Sequence, residues 1–185
     1  MVSFRQFKFV SCHVIALSCA FSFNAHAQLK VGATAPAFTI DAAMGGSAFT
    51  FSLNDALKAG PVVLYFYPAA FTKGCTIEAH QFAEATDEYK KHGATVLGVS
   101  ADDLEKLKEF SVSACKSKFA VGADPDASVI KAYDAQMAFK PDMANRVSYV
   151  ITPDRKVYYE YSSMSPDDHV TNTMAALKDW AAKNK

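Results

Sequence analysis

The sequence predicts an α/β domain, a mixed β-sheet flanked by helices and entered through an N-terminal β-hairpin. Three observations carry this. Pro61–Tyr67 and Thr95–Ser100 are continuous apolar runs of strand length, as expected for strands buried on both faces. Each is followed by a stretch whose apolar residues recur at helical spacing, which makes a βαβα core with parallel strands. Near the C-terminus, Arg146–Ile151 and Val157–Tyr161 flank Thr152-Pro153-Asp154-Arg155 and read as an antiparallel hairpin, so the sheet must be mixed.

The elements follow in order. Phe38–Ile40 and Ala48–Phe51, on either side of Met44-Gly45-Gly46, form the first hairpin. Pro68 ends the first buried strand. From Cys75 to His92 the residues Ile77, Phe82, Ala85 and Tyr89 mark one helical face, and Gly93 supplies the stop. Ser100-x-x-Asp103 has the form of a capping box, opening a helix with Leu104, Leu107 and Phe110 on one side. A short helix over 128–133 follows the Asp124-Pro125-Asp126 turn. Ser165-Pro166-Asp167-Asp168 offers a cap, a first-turn proline and two acids to a C-terminal helix. A parallel core followed by a hairpin and a helix is thioredoxin-like in plan.

The chain has 185 residues, enough for one ordinary domain. Nineteen basic residues balance nineteen acidic ones, so no bulk charge draws it to nucleic acid. These totals average two segments. Arg5 and Lys8 precede the apolar stretch Phe9–Phe23, and Ala25-His26-Ala27 follows in A-x-A spacing. A positive start, a short apolar run and small residues at a cleavage site are the parts of a secretory signal peptide, assigned to 1–27, with the domain over 28–185. A retained anchor needs roughly 20 apolar residues, more than this run supplies. Lipoprotein processing at Cys19 is a third reading, weakened by the absence of a large aliphatic residue three positions before it. Cleavage removes Cys12 and Cys19 with two positive charges, leaving Cys75, Cys115 and a net charge of −2. No C-x-x-C pair is present, which argues against a zinc ribbon and a dithiol exchange motif.

Pro68-Ala69-Ala70-Phe71-Thr72-Lys73-Gly74-Cys75 joins the buried strand to the helix and puts Cys75 in the helix's first turn. Unpaired backbone N–H groups and the positive end of the dipole gather there, and both favour a thiolate. Thr72 can bring its hydroxyl near the sulfur. From position alone, a small buried cysteine packing the strand–helix junction is an equal alternative, and Arg146 alone reads better as a surface ion pair.

Pro68-x-x-x-Thr72-x-x-Cys75 matches the P-x-x-x-T-x-x-C signature of peroxiredoxins, and YFYPAAFTKGCTIEAHQF resembles their PrxQ branch, also called bacterioferritin comigratory protein. VGATAPAFTI, LGVSADDLEKLKEF and ANRVSYVITPDRKV extend the resemblance along the domain in the same order, the last carrying the family's arginine as Arg146. The resemblance implies a thiol-dependent peroxidase, acting on hydrogen peroxide and organic hydroperoxides without haem, flavin or metal. Cys75 is then the peroxidatic nucleophile. Thr72 hydrogen-bonds thiolate and peroxide, Arg146 holds the thiolate ionised and polarises the O–O bond, and Pro68 limits water access. Glu78 matches a family glutamate that would steady the arginine.

Many members of this branch carry a second cysteine five residues after the nucleophile, where this chain has His80. Resolution within that helix is therefore excluded. By resemblance to a sub-group of the branch, Cys115 resolves the Cys75 sulfenic acid as an intramolecular disulfide, the first turn of the Cys75 helix unwinding to bring them together. A one-cysteine peroxidase resolved by an external thiol, a peroxide sensor or binding module, and a thiol–disulfide exchange protein are the rivals. His80 and Cys75 make a poor metal set. His92 and His169 are expected in solvent; Trp180, Tyr158, Tyr159 and Tyr161 are expected to pack. Export implies a periplasmic location and a thioredoxin-like or glutaredoxin-like reductant; the branch suggests a monomer.

Overall fold

The computed structural model describes residues 28–184, and the signal peptide expected over 1–27 lies outside them. The first hairpin pairs β1 (Thr39–Met44) with β2 (Ser47–Ser52) across Gly45 and Gly46, both at positive φ, as a two-residue hairpin turn requires. Then follow α1 (Leu53–Ala59), β3 (Val62–Phe66), α2 (Lys73–Lys91), β4 (Thr95–Ser100), α3 (Leu104–Ser113), β5 (Ala120–Ala123) and α4 (Ser128–Ala132). A small two-stranded sheet of β6 (Gln136–Met137) and β7 (Lys140–Ala144) precedes the second hairpin, β8 (Val147–Ile151) and β9 (Val157–Ser162), and α5 (His169–Lys183) closes the chain. The main sheet runs β2-β1-β5-β4-β3-β8-β9. Strands β3, β4 and β5 are parallel, and every other pairing is antiparallel, so the sheet is mixed.

β3 is buried along its whole length, and its alternation divides the core. Val63, Tyr65 and Tyr67 pack with Phe82, Tyr89, Leu107 and Phe110 beneath α2 and α3. Val62, Leu64 and Phe66 pack on the opposite face with Leu53, Ile130 and Tyr133. The Tyr65 ring stacks on Phe82 with centroids 4.3 Å apart. It lies over Gly98, its partner in the β3–β4 register, where a Cβ would stand 2.6 Å from the ring.

Several elements differ from the sequence expectations. α3 is capped by Asp103, whose side chain accepts from the Lys106 N–H; Ser100 is the last residue of β4 and its hydroxyl donates to Asp102. α5 begins at His169 after Asp168, and Ser165 donates its hydroxyl to Asp167 instead of capping the helix. Ile77 is exposed, leaving Phe82 and Tyr89 to the buried face of α2. α1, β5 and the β6–β7 pair were not expected. α1 is seven residues long, β5 is the small-residue tetrapeptide Ala120-Val121-Gly122-Ala123, and β7 carries Pro141 and largely exposed side chains. Each lacks the length or periodicity that distinguishes an element from a loop. Among the described residues no helix is long and apolar enough to cross a membrane.

Gly98→Ala should destabilise the fold by about 1–3 kcal/mol, because the Tyr65 ring is held by Phe82 and cannot retreat. Urea denaturation measures it; an unchanged midpoint would show that the ring has room to move.

Candidate active site

The site is assembled where β3 gives way to α2. Tyr67 N–H still donates to Val99 across the sheet at 3.1 Å, and Pro68, with no N–H to give, ends the pairing. The loop that follows is pinned by a neighbouring strand end: Ala70 N–H donates to Asp102 Oδ2 at 2.7 Å. Asp102 also accepts from Ser100 Oγ at 2.9 Å and from Lys106 Nζ at 2.6 Å. Phe71 adopts a left-handed backbone with φ 66° and rests its ring edge-on against Phe110 at 5.2 Å. Thr72 occupies the N-cap position of α2 in extended conformation, and Cys75 is the third helical residue. No acid lies in that first turn to offset the helix's positive end.

Cys75 is 1% exposed. Its sulfur receives Arg146 Nη2 at 3.4 Å. Arg146 lies in the short connection between β7 and β8 and is itself buried, its guanidinium bonded on all sides: Nη1 to Glu78 Oε2, Nε to the Met164 carbonyl at 3.2 Å, Nη2 to Cys75. Cys75 and Glu78 are three apart on α2, so both face the same guanidinium. Gly74 permits the approach, since a Cβ there would stand 3.1 Å from Nη2.

Glu78 is fully buried, and burial pushes its carboxyl up to about 8 against the opposing pull of Arg146. Burial works against the Arg146 charge, but Glu78 and then Cys75 outweigh it, so Arg146 is held above its ordinary value. The structure thus brings Cys75, Arg146 and Glu78 together. Pro68 is half-buried at the loop's start, and the Thr72 hydroxyl donates to the Ala69 carbonyl at 3.0 Å.

Cys115 follows the C-terminus of α3, its N–H donating to Phe110 at 3.1 Å, and is fully buried in the same apolar cluster as Cys75. Both are free thiols. Burial pushes the Cys115 thiol far up, keeping it protonated. Lys116 and Ser117 beyond it are both left-handed, at φ 49° and 56°. Tyr65 Oη, buried without a hydrogen-bond partner, is held well above its ordinary value first by burial and next by its proximity to Cys115.

His169 corrects the expectation of a solvated side chain: it is fully buried at the start of α5. Its ring lies edge-on to Tyr161 at 4.8 Å, with Nδ1 2.8 Å from Ser148 Oγ and Nε2 3.0 Å from the Ser163 carbonyl. Gly74, Asp102, Ser148 and His169 went unassigned in the sequence. Only Ser148 had a signal there, as a polar residue in an apolar strand. His80 is half-buried on α2. Trp180, Tyr158 and Tyr159 pack against the α2–α3 side of the core. Among the described residues no three His, Cys, Asp or Glu side chains form a metal-binding group.

The family model described as AhpC/TSA matches residues 31–160. The chain belongs to the AhpC/TSA family. A chloroplastic peroxiredoxin Q of Oryza sativa subsp. japonica is 34% identical over 152 residues, covering 82% of this chain and 68% of that protein. Peroxiredoxin Bcp of Escherichia coli (strain K12) is 31% identical over 158 residues, covering 83% and 98%. Among solved structures, the peroxidoxin BcpB of Mycobacterium tuberculosis superposes with a TM-score of 0.73 at 31% identity, over 82% of this chain and 97% of that one. The protein is a peroxiredoxin of the PrxQ/Bcp type with the thioredoxin-like fold, and a thiol peroxidase.

Two outcomes test this geometry. Gly74→Ala should change stability by no more than about 1 kcal/mol, because the better helix propensity of alanine is offset by the shift its Cβ forces on the buried guanidinium. It should nevertheless slow alkylation of Cys75 several-fold by displacing Arg146; an unchanged rate would show that the guanidinium contact does not govern the thiol. The second concerns pH. Glu78 is raised from its ordinary 4.5 to about 8, so the folded state binds its proton more tightly than the unfolded chain. Its contribution to stability is full below 4.5 and lost as pH rises through 8. Glu78→Gln should remove that decline, so the wild-type advantage in urea midpoint shrinks across this window; a pH-independent difference would contradict the raised carboxyl.

Proposed function

We propose that this peroxidase reduces hydrogen peroxide and small organic hydroperoxides at Cys75 and resolves the product with Cys115. The Arg146–Cys75 contact, a buried guanidinium 3.4 Å from a sulfur at a helix N-terminus, carries the reading. The Cys75 thiolate attacks one peroxide oxygen along the O–O axis. That bond breaks, the sulfur becomes a sulfenic acid, and the departing oxygen takes up a proton to leave as water or an alcohol. Arg146 offers a fixed positive charge to the oxygen where negative charge develops. Thr72, by turning its hydroxyl from Ala69 toward the sulfur, positions the peroxide, and Pro68 shields the same side from water.

In the second step the Cys115 sulfur displaces the sulfenic hydroxyl as water and forms the Cys75–Cys115 disulfide. A dithiol of the thioredoxin or glutaredoxin type then supplies two electrons and two protons. A disulfide needs Cα atoms roughly 4.4–6.8 Å apart, so both buried cysteines must leave their places, by unwinding of the first turn of α2 and of the chain after α3. Left-handed Lys116 and Ser117 lie after α3 and left-handed Phe71 just before α2, and each such backbone costs of order 1 kcal/mol or more that release would recover. The complete burial of Cys115 favours a second reading, in which it is inert and an external thiol resolves the sulfenic acid. We place the mature enzyme in the periplasm as a monomer, on the strength of the leader sequence and of its branch.

Cys75→Ser should abolish peroxide turnover with every donor, and retained turnover would end the reading. Cys115→Ser should keep the first oxidation yet lose thioredoxin-supported turnover. After one equivalent of peroxide the wild-type protein should lose two hydrogens in mass and yield a Cys75–Cys115 cross-linked peptide; a sulfenic acid without the cross-link would establish the one-cysteine route. Rapid turnover with excess reductant separates an enzyme from a sensor, which would oxidise once.

A further inference from the structure

Glu78 Oε1 is buried without a hydrogen-bond partner, while Oε2 takes the Arg146 contact. Across the gap, 3.7 Å away, lies Nδ1 of His169, which is equally buried. The proton positions on that ring are constrained. The Ser163 carbonyl beside Nε2 can only accept, so Nε2 carries a hydrogen and donates it. A neutral ring then presents a lone pair at Nδ1, to which Ser148 Oγ, 2.8 Å away, donates.

The charges do not balance without a further proton. Among the described residues, Arg146 is the one permanent cation touching Glu78 or Cys75. With Glu78 ionised and Cys75 a thiolate, two buried anions would share one guanidinium, and Oε1 would face a lone pair. A buried uncompensated charge is costly. We propose that His169 and Glu78 hold one proton between them in the resting enzyme, in addition to the Nε2 hydrogen. The pair is then neutral, and the charge of Arg146 is left to the Cys75 thiolate and the incoming peroxide. His169 is a positioning residue: it acts through Glu78 and Arg146 and touches no reacting atom.

The surroundings agree. Burial holds His169 below its ordinary value, with Arg146 adding to it and the Ser163 carbonyl, the Ser165 backbone and Asp168 opposing. Burial holds Glu78 above its own. The groups facing the pair are Arg146 from the β7–β8 connection, Ser148 of β8, Tyr161 of β9, Ser163 and Asp168 from the β9–α5 connection, and Cys75 of α2. Among them the charged groups are Arg146, Asp168 and the Cys75 thiolate, and Asp168 favours a proton on the ring.

The inference rests on Cys75 being the nucleophile, and its test separates the two. On the full-length reduced protein at pH 7, the infrared difference between wild type and Glu78→Gln should contain a protonated-carboxyl band, or the nitrogen spectrum of His169 should show Nδ1 protonated. An ionised carboxyl together with a bare Nδ1 would overturn the proposal. These readouts need no activity, so they stand even if Cys75→Ser proves active. Reactivity supplies the second arm, read as the iodoacetamide rate at Cys75 by peptide mass analysis. His169→Phe removes the imidazole with which Glu78 shares the proton and should slow alkylation about tenfold, the change expected for one unit of differential interaction. In a Glu78→Gln background the same substitution should change nothing; equal slowing in both backgrounds would mean a merely structural role and would overturn the proposal. If His169→Phe does not fold, His169→Gln, which keeps a donor for Ser163, takes its place in both backgrounds.

Discussion

The structure depends on a guanidinium that has been taken out of water. Arg146 cannot give up its proton at any working pH, so once buried it must be surrounded by acceptors. Glu78 and the Cys75 sulfur meet that demand from α2 and the Met164 carbonyl from the segment after β9, and its own backbone carbonyl is held by Ser162 and Ser163. The arrangement joins α2, the start of β8 and the segment after β9. Loss of any one acceptor leaves the charge partly unpaired, which is far more costly than losing an ordinary surface pair.

That constraint is met by a sheet whose central strand is fully buried and paired on both sides. β3 contributes nothing to the chemistry directly, yet it is buried on both faces and flanked by β4 and β8, the two strands whose ends carry Asp102 and Arg146 toward the Cys75 loop. Tyr65 and Tyr67 project from it into the cluster that holds both cysteines. The thiols are therefore kept in a dry environment, where a guanidinium acts on a sulfur more strongly than it would in solvent.

The sequence revealed the parts of this arrangement that are written locally. The buried strands, the Cys75 helix and the second hairpin have periodicities or turn residues of their own. Cys75, Thr72 and Pro68 sit within eight residues, and Arg146 was legible only through the family's motif. What escaped depends on contacts across the fold. His169 is separated from Ser148 by 21 residues, and nothing in Asp-Asp-His-Val distinguishes a buried imidazole from a solvated one. Ser100 and Ser165 had capping patterns but were drawn into hydrogen bonds with Asp102 and Asp167, a competition that short polar side chains often win over the helix. β5 is legible only as the third parallel strand beside β4, because four small residues have no signal alone.

Asp102 deserves to be seen as a mechanical tie. One of its oxygens holds the backbone of the loop leading to Cys75, and the other holds Lys106 on α3, the helix that Cys115 follows. The carboxylate is only 10% exposed, so it is poorly placed to exchange either partner for water. The two cysteine-bearing segments are therefore leashed to a common anchor. Under the proposed disulfide route, strain relaxing in one would reach the other through a single side chain, and their departures from the folded core would be correlated rather than independent.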